Sequence, residues 1–81
     1  MMTSSQVENF LRLLGFEPDT YPHTYHQDTV QGRIQVRHNS TGSGLLIEGP
    51  RGLVGGNAND GRHLLVMLAT AGWCTTSLPT F

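Results

Sequence analysis

Most of the chemistry open to this 81-residue chain would rest on four histidines, His23, His26, His38 and His63, and on a single cysteine, Cys74. Imidazole and thiolate are both zinc ligands, and imidazole is also the commonest general acid or base. His23 and His26 stand three residues apart. On a strand that spacing sends the two rings to opposite faces, and no second close pair follows to complete a ligand set. The histidines are therefore expected to be solvated or hydrogen-bonded side chains, with no metal site. Cys74 is followed by Thr75, Thr76 and Ser77, which provide none of the positive charge that stabilises a thiolate, even if His63 approached it. Carboxylates are not paired at any spacing that suggests general acid–base work. No catalytic residue, metal or cofactor is expected.

Eight of the ten glycines fall between Gly32 and Gly61, which raises the question of a phosphate cradle. A P-loop ends in Gly-Lys-Ser/Thr, and the chain contains no lysine. Gly42-x-Gly44 leads into a strand pattern, not the helix that a dinucleotide fingerprint requires. Gly49-x-x-Gly52 has the spacing of the KH backbone clamp, which joins two helices and is basic; here it separates two short apolar runs. These glycines read as turns.

Two surfaces could meet a partner. Arg33 and Arg37 alternate with Gln31 and Gln35 to make a polar stripe along one strand face. Arginine suits bidentate contact with carboxylates or phosphates, but no aromatic residue interleaves with the stripe to stack on bases. Arg33, Gln35 and Arg37 are thus candidate contacts to an acidic protein surface, with an ordinary solvated face as the plain alternative. The second surface is the apolar run 64–69. It exceeds what a few short strands can cover, so Val66, Met67 and Trp73 are candidate contacts to a second copy or a target. The alternatives are a central core helix and a Trp73 lid over the core.

The composition bounds the rest. Net charge is −1, with five arginines against six carboxylates, 37% hydrophobic and 14% charged residues. That balance excludes a polybasic nucleic-acid or membrane-surface protein. One cysteine excludes an internal disulfide framework. The longest apolar run has six residues where about 20 are needed to span a membrane. No signal-like start is visible, so a reduced, cytoplasmic setting is expected.

The elements that must position these residues are punctuated clearly at both ends. Ser5 and Glu8 have capping-box spacing, Val7, Phe10, Leu11 and Leu14 form one stripe, and Gly15 and Pro18 stop the helix, predicting it over 5–14. Tyr21, His23 and Tyr25 alternate as a short edge strand near Pro22. The alternation over 29–37 predicts a strand with Val30, Ile34 and Val36 inward and Gly32 at a bulge. Leu45-Leu46-Ile47 and Leu53-Val54 form short strands about a Gly49–Gly52 turn, and residues 55–59 form a flexible connector. Asn59 or Asp60 caps a second helix running to Ala71 and stopped by Gly72. The expected fold is α+β: one domain over 1–74, with helix, two or three antiparallel strands and helix, the helices packed on one face of the sheet. A loosely ordered tail over 75–81 follows.

With this order of elements, the closing Leu-x-x-Ala-Gly-Trp (Leu68 to Trp73) resembles the HicA-type toxins of bacterial toxin–antitoxin systems. The resemblance implies a double-stranded-RNA-binding-domain-like fold and RNA cleavage by a histidine of the first strand, here His23 or His26. The chain departs from that family in lacking its Gly-Ser-His motif, any lysine and net positive charge. From the residues themselves the expected function is a small non-enzymatic interaction module. It would be a regulator or inhibitor of a larger protein, of the kind phages and mobile elements direct against host defence systems, and homodimeric through the second helix. The RNA-cleaving toxin and a homo-oligomeric structural subunit are the two alternatives.

Overall fold

The computed structural model describes residues 2–40 and 44–73. Its elements are α1 (Ser4–Leu13), β1 (Glu17–Pro18), β2 (Thr24–Thr29), β3 (Gly32–His38), β4 (Gly44–Gly49), β5 (Gly52–Asn57) and α2 (Gly61–Ala71). The strands form one antiparallel sheet in chain order, β1-β2-β3-β4-β5. This corrects the expected layering of helix, two or three strands and helix: the sheet has five strands and makes up most of the fold. The tail over 75–81 and Cys74 lie outside the described residues.

The sheet departs from the expected strands in three places. Glu17 and Pro18 pair with His26 and Tyr25, so the chain leaving α1 already forms an edge rung, where a proline does no harm. The strand expected over 29–37 begins only at Gly32, as β3, with Ile34 and Val36 inward: Thr29 ends β2 and pairs with Gly32, and Val30 sits at the hairpin tip, 96% exposed. Gly32 has φ 141°, so it serves the turn and not a bulge. Finally, Gly55, Gly56 and Asn57 are not a connector but the second half of β5, paired with Leu46, Leu45 and Gly44.

Both helices end as their residues require. Two capping-box patterns overlap at the N-terminus, and the chain uses the earlier one. Thr3 Oγ1 accepts from the Gln6 amide at 3.1 Å, while Gln6 Oε1 accepts from the Thr3 amide at 2.9 Å. Glu8 is thereby released from capping. Beyond the left-handed Gly15, the Phe16 amide bonds back to the Leu11 carbonyl at 2.9 Å, and Phe16 is buried. Asp60 caps α2 through the His63 amide at 2.8 Å, and Gly72 ends it at φ 117°. α2 approaches β4 and β5 closely. A Cβ on Gly49 would collide with the backbone carbonyl of Ala71, so this hairpin requires glycine there.

The sheet has one dry and one wet face. Register aligns Tyr25, Val36, Ile47 and Val54 across four strands, with Ile34 and Leu45 on the same side. These join Val7 and Leu11 of α1 and Leu64, Met67, Leu68 and Ala71 of α2 in one core. On the other side lie His26, Asp28, Arg33, Gln35, Arg37, Leu46, Glu48 and Leu53, mostly exposed. No described helix is long and apolar enough to cross a membrane.

Candidate functional site

A polar cluster closes one end of the core, and three elements build it. Along β3 the inward row Ile34, Val36 and His38 is fully buried, so His38 is the last inward residue of that strand. Ser4, Glu8 and Arg12 follow at spacings of four on α1, which places them on one stripe. All three reach the cluster. Ser4 Oγ lies 3.3 Å from His38 Nδ1, Glu8 Oε2 accepts from the Tyr25 hydroxyl at 3.1 Å, and Arg12 donates to the same Tyr25 oxygen at 3.3 Å. His23 completes the group from the turn before β2. Its φ is 56°, in the left-handed region, and its ring meets the His38 ring edge-on at 5.1 Å. Its carbonyl accepts the His38 amide at 3.0 Å, adding a rung beyond the β2–β3 ladder.

The partners of His38 assign its proton. Nδ1 lies 3.0 Å from the Asn39 carbonyl oxygen, which can only accept, so Nδ1 is the donor. In the neutral ring Nε2 then carries a lone pair. That nitrogen is buried without a hydrogen bond among the described residues and stands 3.5 Å from Glu8 Oε2. The side chain of His38 is 0% exposed. Only a proton or a cation between Nε2 and the carboxylate would turn this facing of two acceptors into an attraction.

A second histidine–carboxylate group occupies the wet face. His26 Nδ1 lies 3.7 Å from Asp19 Oδ2, too far for a hydrogen bond. Asp19 is already engaged: its Oδ1 accepts from the amide of Thr20 at 2.7 Å and from the Thr20 hydroxyl at 3.0 Å. Those two bonds, with smaller help from the charges of His26 and Arg33, hold its carboxyl below the usual aspartate range. Beside it Arg33 Nε donates to Asp28 Oδ1 at 2.9 Å; this bond and the arginine charge lower the Asp28 carboxyl, and the same contact raises the Arg33 guanidinium.

The residues singled out by the sequence are distributed unevenly. Arg33 is exposed but paired with Asp28, Gln35 is half-buried, and Arg37 is exposed with no ion pair among the described residues. Arg37 shares a shallow depression with Thr24 and the 71%-exposed Tyr21. Of Val66, Met67 and Trp73, Val66 points outward at 58% exposure, while Met67 and Trp73 are core residues. Trp73 Nε1 donates to Gln27 Oε1 at 2.6 Å, and Gln27 in turn donates to the Leu14 carbonyl. His23 meets His38, whereas His26 lies on the wet face opposite Gln35, so the two rings do part company. His63 accepts from the Asn59 amide and helps to cap α2. Sequence reasoning overlooked Ser4, Glu8, Tyr25 and the role of His38. The available signal was the polar i, i+4, i+8 stripe beside the apolar stripe of α1. No family model matches the chain, and no curated protein or solved structure matches it.

Proposed function

We propose that the chain is a non-enzymatic interaction module that docks an acidic surface of a larger protein on the wet face of its sheet and so regulates or inhibits it. The observation that carries this reading is the setting of Arg37. It is exposed and free of ion pairs among the described residues, stands in register with the 41%-exposed Leu46, and borders the depression shared with Tyr21. Arginine and tyrosine are among the residues enriched where binding energy concentrates at protein interfaces. Arg33, satisfied by Asp28, is a lesser contributor.

Photo-crosslinking in the native host tests the proposal. A crosslinking side chain at Leu46 should trap a larger acidic protein, and Arg37→Glu should abolish the adduct while leaving the denaturation midpoint unchanged, because exposed charges add at most about 1 kcal/mol to folding. An adduct at Leu46 that survives Arg37→Glu overturns the reading. A crosslink between two copies through Val66, with none at Leu46, replaces it with a homodimeric subunit.

A further inference from the structure

We propose that Glu8, His23 and His38 form a binding site for a divalent transition metal, with zinc the best match to two imidazoles and a carboxylate. One ligand atom from each residue lies within 4.8 Å of the others. Tetrahedral zinc with bonds of about 2.0–2.2 Å requires its ligands to stand roughly 3.3–3.5 Å apart, and His38 Nε2 and Glu8 Oε2 are already separated by 3.5 Å. The third ligand atom comes from His23, whose side chain is exposed and lies within 4.8 Å of both.

Three independent features point to a cation. His38 Nε2 is a buried ring nitrogen 3.5 Å from a carboxylate oxygen, with no hydrogen bond of its own among the described residues. The opposite ring nitrogen is fixed by a backbone carbonyl, as metal-ligating histidines almost always are. The carboxylate is also oriented: the same Oε2 accepts from the Tyr25 hydroxyl, which Arg12 holds in turn. His23 adds a fourth consideration. A non-glycine residue in the left-handed region costs conformational energy, and such residues concentrate at ligand clamps. The sequence conceals the site because its ligands come from α1, a turn and the end of β3 rather than from one short motif.

The metal would tie α1 to the sheet, and three protein ligands leave a fourth position for water or for a donor from a partner. Competition of the full-length chain against a chromogenic chelator should show one equivalent of Zn2+ bound, and Co2+ should give a tetrahedral absorption spectrum. His23→Asn keeps the backbone conformation, since asparagine tolerates the left-handed region, and Glu8→Gln keeps the side-chain shape. Each should weaken Zn2+ binding more than Tyr25→Phe, for which loss of an orienting partner predicts about 10–100-fold. Zn2+ should also raise the denaturation midpoint of the native chain but not of His23→Asn. His26→Ala should bind as the native chain does. No stoichiometric binding by the folded native chain, or binding indifferent to both His23→Asn and Glu8→Gln, overturns the site.

Discussion

His38 and His26 each face a carboxylate across a similar gap, 3.5 Å to Glu8 and 3.7 Å to Asp19. The pairs differ in what surrounds them. The His38 side chain is 0% exposed and that of His26 is 20% exposed. Glu8 is held by Tyr25, seventeen residues away in sequence, while Asp19 is held by its immediate neighbour Thr20. Distance alone therefore says little about such a pair. Burial decides how strongly the two groups feel each other, and the sequence separation of the supporting bonds decides whether the fold depends on them. By that measure the inner pair is part of the tertiary structure, and the outer pair decorates a strand.

The contrast can be broken most forcefully at His38. Replacing it with alanine removes a buried ring and strands the Asn39 and Ser4 partners, so urea denaturation should show a loss of about 2–4 kcal/mol. His26→Ala should stay within about 0.5 kcal/mol of the native chain in the same experiment. Equal losses would mean that burial does not separate the pairs. A smaller effect is expected from Tyr25→Phe, which deletes only the hydroxyl between Arg12 and Glu8. A hydrogen bond to a charged group that is partly exposed predicts about 1–2 kcal/mol.

The smallest effect belongs to the wet face and appears only in acid. Asp19 and Asp28 are held below the usual aspartate range in the folded chain. A depressed carboxyl stabilises the fold above its unfolded value of about 3.9, and this contribution is lost as pH falls through the folded value. Denaturation midpoints measured from pH 6 down to pH 2 should fall, and Asp28→Asn should flatten that slope slightly. Asp28 is exposed and its pairing with Arg33 is screened, so its share of the change should shrink further in high salt.

The sequence made some of this structure readable and hid other parts for definite reasons. The stop at Gly15, the turn at Gly49–Gly52 and the Asp60-to-Gly72 limits of α2 were legible because each rests on a local backbone requirement. The hairpin at Val30 was not, since Thr29-Val30-Gln31-Gly32 lacks the usual asparagine or aspartate before glycine, and Val30 imitates an inward strand residue. Gly55 and Gly56 read as a flexible link because glycine has low strand propensity, yet pairing with β4 overrides propensity. The polar stripe Arg33, Gln35 and Arg37 was placed on the correct face, but nothing in the spacing announced that Asp28 would engage Arg33. Met67 and Trp73 became core because a five-stranded sheet offers more apolar area than the two or three strands expected. Of the Glu8–His38 cluster only the α1 half left a signal, its polar stripe; the pairing itself joins residues thirty positions apart.

The strictly sequential order of the strands has a kinetic consequence. Every ladder joins neighbours in the chain, so the sheet can zip by successive hairpins, each forming in about 1–10 µs. His23 and His38 are brought together by that zipping alone, because the bond between the His23 carbonyl and the His38 amide continues the β2–β3 ladder. Ser4, Glu8 and Arg12 are carried by α1, which lies outside the strand ladders. The histidine pair therefore needs no carboxylate to form. In any later opening that lifts α1 away, the two rings stay side by side while Glu8 leaves. The cluster is a latch whose receiving half is built by the hairpin and whose moving half is carried by the N-terminal helix.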